Sequence, residues 1–249
     1  QSVYKLPPAW FQQFYGVFGD ECHGFKSKSL TSIMNKCVNT AYRYGTTGTL
    51  DGTQTHKLVL EGLFGKVRKV TTTKKLQDDD TLAPLNIFML TLDYNETDKK
   101  ENVGKTYQQE INWIVANERR NNFIRNLSID MKGNPLVLCQ FVDKHGKVLY
   151  DLMSAKAKDS RKVFYVSGQT DATDRETIRK IVETQKDSII VASLGTFSTG
   201  INIKNLHNIV FASPSKSQIR VLQSIGRSLR KSDDGRISKL YDLVDDLQH

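Results

Sequence analysis

Cysteine is sparse and badly spaced for covalent work. Cys22, Cys37 and Cys139 are odd in number and far apart, so they build neither a disulfide framework nor a CxxC metal site. Each reads as a small buried apolar residue in a reducing compartment. Long apolar runs are missing as well. No stretch approaches the roughly 20 residues that cross a bilayer as a helix, and no basic start followed by an apolar middle marks a secretory signal. The expectation is an intracellular chain with no membrane partner. No internal repeat or low-complexity tract is present, which argues against a solenoid or a flexible scaffold. Acid is in deficit: 27 Asp and Glu stand against 36 Lys and Arg, and the resulting +9 is spread along the chain instead of being confined to one tail. That balance favours a polyanionic partner such as nucleic acid over an acidic small substrate. An initiating methionine is also lacking, and the chain opens at Gln1 as if in the middle of a domain, so a fragment or a processed product is expected.

What is present is enough chain for two domains, at 249 residues. From residue 135 onward, apolar β-branched runs alternate with helical patterns. Strands are expected at 135–141, 162–168, 188–193, 208–214 and 239–246, and helices at 145–158, 173–185 and 216–231. Continuous apolar strands separated by helices mean a parallel sheet covered on both faces. Upstream, a strand at 85–94, a polar surface loop at 95–105 and one long helix at 107–132 lead into this half. Residues 1–84 read as the C-terminal part of another α/β domain, with a helical stretch at 30–44 and an acidic end at 76–84. The six aromatics Tyr4, Trp10, Phe11, Phe14, Tyr15 and Phe18 read as core packing in preference to base-stacking platforms. The expected organisation is therefore α/β throughout, with domains at 1–84 and 85–249.

Four short strings carry chemistry. "DECH" (20–23) follows an apolar strand and has the form of a Walker B site, in which an Asp holds Mg²⁺ through water and a Glu polarises the attacking water. A solvated acidic loop is the competing reading. "QSIGRSLR" (223–230) places Arg227 and Arg230 three apart, side by side on one helical face, where they can engage a γ-phosphate or lie in solvent. "STGIN" (198–202) lies in the loop 193–203, which like the loops 167–170 and 213–218 follows a strand and is rich in small polar residues suited to phosphate oxygens, and "GTTGTL" (45–50) is the fourth string. Their order along two α/β halves is hard to obtain by chance.

Taken together, these strings resemble the superfamily-two helicases from motif II through motif VI, and "SLGTFSTGINIKNLHNIV" and "VLQSIGRSLRK" are most similar to the phage UvsW-type recombination helicases. The resemblance implies RecA-like parallel sheets: one complete C-terminal RecA-like domain plus the C-terminal part of a first, ATP-binding one. It implies an ATP-dependent DNA helicase or translocase with ATP and Mg²⁺ as cofactors, acting on branched or duplex DNA or a DNA–RNA hybrid, in the cytoplasm of a phage-infected host. Carried over by position, Asp20 and Glu21 serve Mg²⁺ (through water) and the attacking water, while His23, Gly48 and Thr49 couple hydrolysis to strand movement. Arg227 and Arg230 contact the γ-phosphate, with Gln223, Gly226 and Asn202 on the nucleotide side. Phe141, Ser167, Gly168, Thr199 and Gly200 contact nucleic acid.

The departures matter. Leu50 stands where many relatives have Pro, and Asn202 where many have Asp. The phosphate-cradling P-loop, which should stand well upstream of "DECH", is absent, so this chain alone is expected to be inactive. "NVGKT" (102–106) imitates it, but Lys99 occupies the position of the required first Gly and the string lies on the wrong side of motif II, so Lys105 and Thr106 read as the start of a helix. Two alternatives stay open: a nucleic-acid-binding or annealing module without ATPase, and an RNA helicase or restriction-type motor.

Overall fold

The computed structural model describes residues 2–50, 54–158, 160–185, 187–196, 203, 206, 208–215 and 237–247. The chain divides into two compact units, Gln1–Thr72 and Thr73–His249. The expected helix at 216–231 lies outside the described residues.

The first unit is built from α1 (Pro8–Gln12), β1 (Gly16–Gly19), α2 (Lys28–Lys36), β2 (Tyr42–Gly45) and α3 (Gln54–Phe64), with a 3₁₀ turn at Cys22–Lys26. β1 and β2 are parallel neighbours in the register Gly16 to Tyr42 and Gly19 to Gly45. The helical stretch expected at 30–44 is shorter than its pattern: α2 stops at Lys36, capped at Cys37, and the aromatic Tyr42–Arg43–Tyr44 run goes to a strand. Of the six aromatics expected in the core, Phe11 is buried and Tyr4 half-buried, while Trp10, Phe14, Tyr15 and Phe18 are exposed. Phe18 and Tyr44 sit opposite each other and are exposed, whereas Gly19 and Gly45 face Phe64 of α3.

In the second unit α4 (Thr73–Asp78) precedes β3 (Leu85–Asp93), α5 (Glu96–Asn102), α6 (Tyr107–Ala116), α7 (Glu118–Asp130), β4 (Pro135–Cys139), a π-helical turn (Val142–Lys147) and α8 (Val148–Ala157). β5 (Lys162–Val166), α9 (Ala172–Thr184), β6 (Ser188–Ser193), β7 (Asn208–Phe211) and β8 (Ser238–Asp246) follow. The strands form one parallel sheet in the order β3-β8-β7-β4-β6-β5. The chain steps outward from β4 to β5, returns through β6, and crosses to the other side of β4 with β7. Alternate residues of the continuous apolar strands go to opposite faces. Leu136, Leu138, Ile190 and Ile209 enter one core and Val137, Cys139, Ile189, Val191 and Val210 the other, which is why these strands read as unbroken apolar runs.

Two expectations fail for local reasons. The single helix at 107–132 is broken at Asn117, whose extended backbone ends α6 and whose side chain accepts from the Arg120 N–H to cap α7. The polar loop at 95–105 is the helix α5: Asn95 caps it by accepting from the Asp98 N–H, acids occupy its first turn and Lys99 and Lys100 its last. Thr106 does start a helix, closing a capping box with Gln109, and the Lys105 ammonium lies near Glu101 and over the Trp113 ring.

Polar groups are buried where the sheet meets α7. The Arg120 guanidinium, fully covered, donates to both Asp245 oxygens at 2.7 and 3.0 Å and to the Ala212 carbonyl, and Tyr94 donates its phenol proton to Asp245. Beside it, His145 is completely buried between Ser213 and Asn121. The Asn121 amide nitrogen donates to the Val115 carbonyl, which leaves its oxygen to accept from His145 Nε2–H; Nδ1 then accepts from the Ser213 hydroxyl, and Ser213 Oγ accepts from the Gln140 N–H. Burial, reinforced by the Arg120 charge, lowers the His145 pKa to about 3.

Because Arg120 leaves a buried carboxylate behind when truncated, Arg120→Met should destabilise the second unit by about 3–5 kcal/mol. Arg120→Met combined with Asp245→Leu should recover most of that loss, as read from the denaturant midpoint. His145 generates a pH dependence of definite sign. Its folded pKa lies below the ordinary 6.5, so between pH 6.5 and about 3 the unfolded chain binds the extra proton. The stabilisation is complete above pH 6.5 and is lost as pH falls. Going from pH 7 to 4.5 should cost about 2–3 kcal/mol more in the native chain than in His145→Gln. Equal pH slopes for the two chains would contradict a buried neutral imidazole.

Candidate functional site

The acidic string of the first unit sits immediately after β1, beside the loop that follows β2. Pairing continues past the strand ends: the Thr46 N–H donates to the Gly19 carbonyl and the Cys22 N–H to the Thr46 carbonyl, both at 2.9 Å, so the two loops are stitched together. The strands end in glycine for a steric reason. A Cβ on Gly19 would stand 2.8 Å from the Phe64 ring, and one on Gly45 would meet Phe64 at 3.0 Å and Cys22 at 3.1 Å. Glu21 lies in the left-handed region at φ 48° and ψ 46°, uncommon for a residue with a side chain.

The side chains of the two loops then meet. Asp20 Oδ1 accepts from the Glu21 N–H at 2.9 Å and the Thr46 hydroxyl at 3.2 Å. His23 Nδ1 lies 2.9 Å from Thr47 Oγ1 and 3.2 Å from Glu21 Oε2. The Thr47 hydroxyl already donates to the Thr49 carbonyl at 3.0 Å and accepts from the Thr49 N–H at 3.2 Å. Its proton is committed, so His23 Nδ1 is the protonated ring nitrogen and is shared between Thr47 and the Glu21 carboxylate. From below, His56 Nε2 donates to the His23 carbonyl at 2.9 Å. Burial, with the Glu21 and Asp20 charges behind it, raises the Cys22 pKa and keeps that thiol inert.

Asp20 and Glu21 are both exposed, so the carboxylates are not carried into a low-dielectric interior. Exposed carboxylates beside a threonine hydroxyl are the hard oxygen donors that suit Mg²⁺ held through water. No group of three or more His, Cys, Asp or Glu side chains able to hold a metal exists among the described residues. The donors present, Asp20, Glu21 and the Thr46 hydroxyl, fit an ion that takes most of its ligands from water and from phosphate oxygens.

In the second unit the loops past the carboxyl ends of β4 and β5 carry Phe141, Ser167 and Gly168. Phe141, just past β4, is half-buried against Ile111, Ile114 and Val115 of α6. Ser167 is buried in a turn past β5, donating its N–H to Thr170 Oγ1 and accepting the Gln169 N–H on its hydroxyl; Gly168 is exposed near Thr196. A cavity of about 320 Å³ opens at the end of β7, lined by Ile111, Phe211, Ser213 and Asp242 among others. Burial, then the Asp245 charge, raises the Asp242 pKa. Thr199, Gly200, Asn202, Gln223, Gly226, Arg227 and Arg230 lie outside the described residues. Gly48 has open space where a Cβ would stand and Thr49 contributes its backbone, so the side-chain links between the loops come from Thr46 and Thr47.

Sequence reasoning passed over Thr46, Thr47 and His56. The two threonines lie within the quoted "GTTGT" but were hidden behind the residues that define the motif. His56 has only a weak signal, its spacing of four and seven from the buried Leu60 and Leu63, since its partner is a backbone carbonyl.

Comparison with known proteins concerns the family and the fold. Residues 118–232 match the helicase conserved C-terminal domain. The ATP-dependent DNA helicase UvsW of Enterobacteria phage T4 is 39% identical over 98% of this chain, and the chain spans about half (49%) of that relative's length. The crystal structure of T4 UvsW superposes with a TM-score of 0.58 at 37% identity, covering 99% of this chain and 48% of that one. A fragment of a putative HsdR subunit of a type I restriction enzyme from Vibrio vulnificus shares the fold at 16% identity and TM-score 0.68, over 97% of this chain and 46% of that one. So does Mss116p bound to single-stranded RNA and AMP-PNP, at 12% identity and TM-score 0.57, over 99% and 46% respectively.

Proposed function

We propose, for a chain that belongs to the UvsW-like superfamily-two helicases, that the complete protein is an ATP-dependent DNA helicase and that the stitched loops after β1 and β2 are its hydrolytic acid side. The observation that carries this reading is the His23 Nδ1–H set between Glu21 and Thr47. A solvated acidic loop has no reason to hold one of its carboxylates against the neighbouring loop through a partly buried histidine.

In this reading Asp20 anchors a hydrated Mg²⁺, and Glu21 accepts a proton from the attacking water. Mg²⁺, when bound, neutralises charge on the phosphates. His23 and Thr47 hold the Glu21 carboxylate in place and pass its position to the loop of Gly48 and Thr49. Arg227 and Arg230 supply positive charge to the γ-phosphate, with Gln223, Gly226 and Asn202 beside the nucleotide. Phe141, Ser167, Gly168, Thr199 and Gly200 serve the nucleic-acid strand. Residues 1–84 are proposed as the C-terminal part of the first RecA-like domain and 85–249 as the second, although the two compact units divide earlier, at Thr72 and Thr73, so that α4 falls in the second. The substrate is DNA, branched or duplex, and extends to forks, branch points, D-loops or DNA–RNA hybrids. Support comes from the relative named as a DNA helicase and from the excess of +9, which fits contact with a phosphate backbone. Among the described residues no helix is long and apolar enough to cross a membrane, and the cytoplasm of a phage-infected bacterium is the proposed setting.

Glu21→Gln in the complete protein tests the reading. The amide keeps the shape but cannot accept a proton, so ATP binding should stay near normal while turnover falls by orders of magnitude and nucleotide is trapped. Unchanged turnover would remove Glu21 from the chemistry and return "DECH" to a solvated loop.

A further inference from the structure

We infer that His56 is a positioning residue for Glu21, acting through the backbone of His23. His56 is on α3 and only 5% exposed, and its Nε2–H donates to the His23 carbonyl at 2.9 Å. The same His23 presents Nδ1 to Glu21 Oε2 at 3.2 Å and to Thr47 Oγ1 at 2.9 Å. One residue thus has its carbonyl tethered from the interior and its ring engaged at the surface, and the tether orients the ring.

The tether has a defined place in the fold. Gln54–Phe64 buries His56, Leu60 and Leu63 on one face, and Phe64 at its end fills the space beside Gly19 and Gly45. α3 therefore touches the acidic loop at two points: Phe64 sets how closely the strand ends approach, and His56 sets how the turn after them is rotated. The turn needs the second contact. Glu21 occupies the left-handed region, and the next element is a 3₁₀ turn at Cys22–Lys26, a geometry weaker than an α-helix. Without a donor at His56 the His23 carbonyl would lose its second partner beside α3 and keep only the i→i+3 bond of the 3₁₀ turn, which frees the peptide to rotate toward water. Rotation of that peptide carries the imidazole away from Glu21. Because a misplacement of about 1 Å can cost up to ~100-fold in rate, a lost tether reads out in turnover.

This inference rests on the proposed hydrolytic role of Glu21, and its test separates the two. In the complete protein, ATP turnover, KM for ATP and thermal unfolding are measured for His56→Leu, His56→Gln and Glu21→Gln, together with selective ¹⁵N-histidine NMR of the His23 ring. His56→Leu should lower kcat by about 10- to 100-fold with KM for ATP within about threefold. His56→Gln, which can still donate, should recover most of kcat, and the His23 ring should keep its Nδ1–H tautomer in His56→Gln but lose it in His56→Leu. If Glu21→Gln abolishes turnover while folded His56→Leu leaves kcat and the His23 spectrum unchanged, the tether is irrelevant and the inference is overturned. If Glu21→Gln leaves turnover intact, the hydrolytic reading fails, and the His23 spectrum alone decides whether His56 orients the ring. Should His56→Leu not fold, His56→Met, also without a donor to the His23 carbonyl, carries the test: a lowered kcat with loss of the His23 Nδ1–H tautomer supports the tether, and a folded protein with native kcat and His23 spectrum overturns it.

Discussion

The ring of Phe64 occupies the space that a Cβ on Gly19 or Gly45 would need. That single steric constraint governs the acidic site of the first unit. With two glycines opposite each other at the ends of parallel strands, the backbones are covered closely by α3 and their pairing runs on into the loops through Thr46 and Cys22. Continuous pairing sets the two loops side by side, and only then can the Thr46 hydroxyl reach Asp20 and His23 reach Thr47. A larger residue at either glycine would force Phe64 aside and separate the loops before any carboxylate was touched.

The second unit solves a related problem with charge. Its strands end in loops of small polar residues, which pack too weakly to hold a position by themselves. Arg120 reaches from α7 to the Ala212 carbonyl at the end of β7 and to Asp245 on β8, while His145 grips Ser213 from the π-helical turn after β4. The groups are satisfied within a low-dielectric interior, where hydrogen bonds are strong and a missing partner is expensive. Ala212 and Ser213, the first residues past β7, are thereby fixed relative to the sheet.

Strands were the most legible part of the sequence, because burial on both faces leaves a continuous apolar run such as Ser188–Ser193 with no competing reading. Helix boundaries were less so. An uninterrupted polar-apolar pattern across 107–132 conceals the break at Asn117, since capping is a matter of one side chain accepting one N–H. The same local chemistry made a helix of Glu96–Asn102, where composition alone reads as loop. Asp20, Glu21 and His23 were legible because the acid pair follows an apolar strand. Thr47 and His56 were not, since their importance lies in contacts 24 and 33 residues away in sequence, one of them to a backbone atom.

On the proposed reading the two stitched loops are one device, in which the carboxylate that serves hydrolysis is held by the loop of Gly48 and Thr49 that couples hydrolysis to strand movement. The most direct test is the stimulation of ATP turnover by DNA in the complete protein bearing Thr47→Val, which keeps the side-chain shape and removes the acceptor for His23. Turnover should fall both without and with DNA, and the ratio of the two, the stimulation by DNA, should fall about 5- to 150-fold, the range of a typical coupling between sites. Stimulation at the native level in a folded Thr47→Val protein would contradict the account.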